Sequence, residues 1–237
     1  MDVNMKAQKQ KKRGRSGRLT AAARRAQLLE IGRAVFARRG YEATTVEEIA
    51  NRAKVSKPIV YEHFGGKEGL YAVVVDREMD HVIMRISEAI ASGSPRERLE
   101  RAALAFLTYV KDQPDGFAVL SHDAPVTSAR GGMSSLLIEV ADRVGDVFAA
   151  AFKQAGYDTK VAPIYAQALV GMVTFVGRWW TETRSFSIES VVNHVAALAW
   201  MGLRRLPKRP SLKISIERTC PTRRIRSPRR SRSPTRK

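Results

Sequence analysis

The chain has one cysteine, four histidines and no run of about eighteen consecutive apolar residues. Each shortage excludes something. Cys220 has no second thiol to pair with, so an internal disulfide and a cysteine-based zinc site are both ruled out. The histidines show no metal-ligand spacing, no glycine loop is built to cradle a phosphate, and there is no nucleophile elbow, so no enzyme activity, cofactor or metal is expected. The lack of a long apolar run predicts no membrane association. No apolar stretch follows the positive N-terminus, so no secretory signal is expected either, and the predicted location is cytoplasmic. Strand-type alternation is missing too. Between Thr20 and Leu206 the apolar residues recur at three and four, which predicts an all-α fold.

What is present in excess is positive charge, a formal +19 over 237 residues. Its distribution matters more than its size. Residues 1–18 carry seven lysines and arginines against Asp2, a net +6, and residues 207–237 carry twelve against Glu217, a net +11, which leaves +2 for everything between. Both ends are built from Lys, Arg, Ser, Pro and Gly without apolar periodicity, and such segments cannot bury enough surface to offset the entropy of ordering. They are predicted to be disordered basic arms. The middle, in a chain that is 44% apolar, is long enough to pack a core.

The spacing predicts about nine helices. Thr20 caps the first, which buries Leu28, Ile31 and Val35 and stops at Gly40. Residues 46–53 follow a capping box of Thr45 and Glu48. A four-residue turn, 53–56, leads to a helix over 57–64 with Ser56 as its cap and Pro58 tolerated in the first turn. Gly65 and Gly66 end it, and a long helix runs from Lys67 to about Ala91. Ser94-Pro95 with Glu97 caps another. Further breaks fall at Pro114-Asp115-Gly116, Ala129 to Gly132, Gly156 to Thr159 and Arg184 to Ser187, with the last two helices at Ala162–Thr183 and Ile188–Leu206.

Two helices joined by a tight turn, the second short, make a helix-turn-helix, whose second helix enters the DNA major groove. The string from Phe36-Ala37-Arg38-Arg39-Gly40-Tyr41 through Thr44-Thr45-Val46-Glu47-Glu48-Ile49-Ala50 to Val55-Ser56-Lys57-Pro58-Ile59-Val60-Tyr61-Glu62-His63-Phe64-Gly65-Gly66-Lys67 resembles the DNA-binding signature of the TetR family of transcriptional regulators. One position departs from the commonest pattern: Lys54 stands in the turn where glycine is frequent, at a cost of roughly 1 kcal/mol if the backbone there is left-handed.

Lys57, Pro58 and Tyr61 share one face of the recognition helix, while Val60 and Phe64 take the other. Lys57 can donate to guanine or phosphate, Pro58 and Ile59 can meet a thymine methyl, and Tyr61 can reach a phosphate or base edge. The resemblance implies phosphate contacts from Tyr41, Thr45, His63 and Lys67, with Thr44 beside them. It also implies that the last two helices form a four-helix interface in a homodimer, as a palindromic operator requires. The resemblance further implies that the helices bearing six aromatics (Phe106, Tyr109, Phe117, Phe148, Phe152, Phe175) with Arg178 and Trp179 surround one cavity, although core packing is the expected job of most of these aromatics. That composition suits a small hydrophobic effector with an anionic end. The stretches around Arg178-Trp179-Trp180 and Ala199-Trp200-Met201-Gly202 look like actinobacterial members that respond to long acyl thioesters, making an acyl thioester or fatty acid the expected effector.

The expected organisation is thus a basic arm (1–18), a helix-turn-helix DNA-binding domain (19–66), a ligand-binding and dimerisation domain (67–206) and a basic tail (207–237). The expected activity is ligand-responsive, sequence-specific binding of double-stranded DNA, with repression as its sense. The alternative is a nonspecific nucleic-acid or RNA-binding protein working through the Arg/Ser repeats of its tail.

Overall fold

The computed structural model describes residues 19–122 and 133–211. The basic arm, nearly all of the basic tail with Cys220, and the break placed at Ala129 to Gly132 lie outside the described residues. Within them are nine α-helices and no strand: α1 (Ala21–Arg39), α2 (Val46–Ala53), α3 (Lys57–Phe64), α4 (Lys67–Ile90), α5 (Pro95–Asp112), α6 (Pro114–Ser121), α7 (Met133–Ala155), α8 (Ala162–Thr183) and α9 (Ile188–Arg204). One 3-10 turn, Thr159–Val161, precedes α8.

Local chemistry explains most of the boundaries. The Thr20 hydroxyl accepts from the Ala23 N–H, and that of Thr45 from the Glu48 N–H, each at 3.2 Å. Ser94 and Glu97 form a complete reciprocal box at the start of α5. The box read at Thr45 is only half made, because the Glu48 carboxylate turns instead to Arg52 at 3.0 Å and Arg39 at 3.3 Å. Ser56 also departs from expectation. Its backbone is extended as a cap requires, yet its side chain makes no capping bond, since Pro58 has no N–H to offer and that of Ile59 goes to the Ser56 carbonyl.

Recognition-helix placement depends on the backbone at both its ends. Lys54 does adopt the left-handed conformation, at φ 55 and ψ 46. Gly65 and Gly66 follow α3 with φ of 74 and 129, and a Cβ on Gly69 would overlap the Phe64 carbonyl. Only glycines let α4 start so close behind α3.

Leu28, Val35, Phe36, Ile49 and Val60 are wholly buried where α1, α2 and α3 meet. Phe36, Tyr41 and Tyr71 interlock edge to face below them, tying this head to α4. A polar tie runs alongside. Arg33 of α1 donates to Gln113 at 2.7 Å and lies 3.4 Å from the buried Glu78 carboxylate, whose other oxygen accepts from Tyr109 at 2.9 Å. The helices up to Arg205 accordingly group as one compact unit.

The stretch Thr159–Thr183 is long and apolar enough by composition to cross a membrane, although it holds no unbroken run of about eighteen apolar residues, and 17% of an 18-residue window of it is buried within the chain. Its two sides differ. Ala166, Gly177 and Trp180 pack inward, while Ile164, Phe175 and Trp179 are exposed.

Candidate DNA-binding face and effector cavity

Along α3 the expected division of faces is observed. Val60 is fully buried, Phe64 is half-buried against the core, and Lys57, Pro58 and Tyr61 are exposed. Ile59, read as a base contact, is half-buried and packs on the core. The helix is held from behind at its C-terminal end. Arg25 of α1 donates to the His63 carbonyl at 3.3 Å and lies 4.4 Å over the Phe64 ring, so a cation meets the negative end of the helix dipole.

Not every residue read as a phosphate contact faces outward. Thr44 is 1% exposed and donates its hydroxyl to the Gly40 carbonyl at 2.7 Å, which removes it from the DNA-facing set. Tyr41 is buried in the aromatic cluster. The Lys67 ammonium covers its ring at 4.2 Å and donates to its carbonyl at 3.1 Å. Thr45 is exposed, and its hydroxyl can donate outward while still accepting from Glu48. His63 is half-buried.

Three residues that sequence reasoning missed join this face. Arg39 and Arg52 flank Glu48 beside Thr45. Glu47, at the start of α2, places its carboxylate 2.8 Å from the Lys57 ammonium of α3. That hydrogen bond holds the Glu47 carboxyl below the usual carboxylate range and raises Lys57 above the usual lysine range. A glutamate ten residues before a lysine gives no sequence signal; the crossing of α2 and α3 creates the pair.

In the body, α4, α5, α7 and α8 enclose a cavity of about 380 Å³. Its walls are aliphatic, with Val82, Ile86, Leu136, Val140 and Val173 among them, and its polar lining comes from Arg98, Gln154 and Thr174. Arg98 enters beside Gly93 and Pro95 at the junction of α4 and α5, its Nε donating to the Gly93 carbonyl at 3.0 Å. The structure brings two of the eight expected lining residues there, Phe106 and Phe148. The other six are elsewhere, for distinct reasons. Tyr109 is wholly buried and bound to Glu78, where burial first and the adjacent carboxylate second push its hydroxyl far above the usual range, so it remains a donor. Phe117 packs edge-on against Phe106, and Phe152 fills the space between Tyr157 and Tyr165. Phe175, Arg178 and Trp179 stand on the exposed side of α8. The charged group at the cavity is Arg98, which shares α5 with the expected Phe106 but carries no sequence signal of its own.

Comparison with known proteins gives consistent results over both regions. Residues 28–74 match the family described as bacterial regulatory proteins, tetR family, and residues 85–212 match the tetracyclin repressor-like C-terminal domain. The chain is 31% identical over 197 residues to the HTH-type transcriptional activator FasR of Mycolicibacterium smegmatis, covering 81% of this chain and 89% of that relative. To the HTH-type transcriptional repressor KstR2 of Rhodococcus jostii it is 26% identical, covering 80% and 93%. A crystal structure of a TetR-like transcriptional regulator from Rhodococcus sp. RHA1 superposes with a TM-score of 0.64 at 27% identity, covering 79% of this chain and all of that one.

Proposed function

The chain belongs to the tetR family of DNA-binding transcriptional regulators, and from that premise we propose that it works as a homodimer on a palindromic operator and is controlled by a hydrophobic effector in the cavity of its body. The observation that carries this reading is the course of α4. Its first residue, Lys67, follows the recognition helix across two glycines, and its last turns, through Val82, Ile86 and Ile90, line the cavity. At 1.5 Å per residue, Lys67 and Val82 lie roughly 22 Å apart on one rigid element. Filling the cavity therefore pushes on the rod that carries the recognition helix, and a two-fold site tolerates little change in head separation, since both heads must reach grooves about 34–36 Å apart.

Support for the dimer comes from α8 and α9, which leave Ile164, Phe175, Trp179, Leu198 and Met201 between 43% and 76% exposed. Gly171 and Gly202 lie on the same two helices with open space before them. An apolar surface of this extent marks a protein interface, and small residues within it permit close approach of a twin. Phe175, Arg178 and Trp179 thus serve this surface rather than the cavity.

The effector is a molecule with an extended apolar part and an anionic end. The aliphatic walls take the first and Arg98 the second. Fatty acids and acyl thioesters fit that description. FasR is named an activator and KstR2 a repressor, so relatives of either sense resemble this chain over most of its length.

Lys57, Pro58 and Tyr61 read the bases, while Thr45, His63, Arg39 and Arg52 address the backbone. The test begins with duplexes selected by the wild-type protein from a random library. Lys57→Ala and Tyr61→Ala should each weaken binding to the selected duplex by about 5- to 150-fold, the range of one good base contact. Dimerisation and helix content should not change. Unaltered affinity in both variants would place the recognition surface elsewhere.

A further inference from the structure

The DNA-facing surface contains an acid where a polyanion must dock. Glu47 is exposed beside Thr45, with 63% of its side chain open to solvent, and its carboxylate meets Lys57 at 2.8 Å. Its neighbour Glu48 is different: that side chain is 19% exposed and held between Arg39 and Arg52. Exposed ion pairs add little to stability, so fold maintenance is a weak reason for the Glu47 contact. Near phosphates an uncompensated carboxylate opposes binding, and its presence calls for a different account.

We propose that Glu47 is a specificity-determining positioning residue, which orients the Lys57 ammonium toward a base edge and cancels the charge with which Lys57 would otherwise hold any phosphate. The inference rests on the reading of α3 as the recognition helix. A lysine ammonium is a compact charge on a flexible stem, and untethered it is drawn to one phosphate as strongly as to another. Tethered at the first residue of α3, it commits one N–H to Glu47 and keeps two. Two donors on one nitrogen match the N7 and O6 acceptors that guanine shows in the major groove. The pair as a whole is neutral, so it releases no condensed counterion and contributes nothing to nonspecific attraction. What remains is the hydrogen bonding, which only the correct base satisfies. The lowered Glu47 and raised Lys57 titrations keep both partners charged across the neutral range.

The test uses the full chain, the duplex selected by the wild type and a scrambled duplex of equal composition. Glu47→Gln should bind the scrambled duplex more tightly with a steeper dependence of log affinity on log salt, by up to about 0.9 if Lys57 then neutralises one further phosphate. Its ratio of selected to scrambled affinity should fall about five- to tenfold, with the loss concentrated at one guanine of the site. In a Lys57→Met background the same Glu47 change should leave that ratio unaltered. If Glu47→Gln changes neither the ratio nor the salt slope, the pair is an idle surface contact and the proposal is wrong. If the ratio falls equally with Lys57 and without it, Glu47 reads a base by itself and the positioning role is wrong. An inert Lys57→Met on its own would instead overturn the assignment of the recognition helix, and this inference with it.

Discussion

The head and the body of this regulator handle apolar surface in opposite ways. In the head, three short helices bury Leu28, Val35, Phe36, Ile49 and Val60 completely, and the recognition helix is held by a left-handed residue before it, two glycines after it and Arg25 behind it. The body leaves a cavity of about 380 Å³ unfilled and apolar side chains of α8 and α9 uncovered. A reader of DNA has to present the same face each time, so slack would be harmful there. A sensor needs a vacant volume whose filling changes something, and that vacancy forgoes the packing a closed core would have.

The largest test of this contrast is a matched truncation. Phe36→Ala in the head should cost about 3–5 kcal/mol in urea unfolding and abolish DNA binding. Phe148→Ala in the cavity wall should cost about 2 kcal/mol or less, because one side of that ring already lacks neighbours. Equal losses would erase the distinction. Next is the tie between the regions. Tyr109→Phe leaves the buried Glu78 oxygen without its donor and should destabilise by about 1–3 kcal/mol at equal protein concentration. The paired Gly116→Ala should be comparably harmful, since a Cβ there would run into the same carboxylate. Filling the vacancy has a smaller effect of the other sign: Val173→Phe should raise stability by roughly 1 kcal/mol, move operator affinity in the direction in which the effector moves it, and leave no further effector response. The smallest is Lys54→Gly, which relieves left-handed strain and should stabilise by no more than about 1 kcal/mol without altering base preference.

The same contrast explains what is legible in the sequence. Head boundaries are set by neighbours in the chain. Thr45 before Glu48, Ser56 before Pro58 and the Gly65-Gly66 pair place α2, α3 and the start of α4 where the structure has them. Ser94 with Glu97 does the same for α5. Aromatic positions mislead about the cavity, because large aromatics fill space rather than enclose it. Tyr109, Phe117 and Phe152 are packing residues for that reason. A better signal lies in α7, where Leu136, Val140, Val144 and Ala151 recur on one face as modest aliphatics too small to close the gap. Arg98 and Glu47 carry no local signal. Each owes its role to a helix crossing, and a single sequence does not hold that geometry in readable form.

The central claim is that α4 couples the cavity to the recognition helices, and reciprocal binding tests it most directly. Palmitate and its coenzyme A thioester would be titrated against the protein alone and against its complex with the selected duplex, and the duplex against the protein with and without each probe. Linkage requires both experiments to give one factor, expected between about 5 and 150. Arg98→Ala should weaken probe binding, and Val173→Phe should abolish it. A probe that enters the cavity, with binding lost in Val173→Phe, yet leaves duplex affinity unchanged would contradict the account, because a filled cavity would then exert nothing on the helix that carries the DNA-reading face.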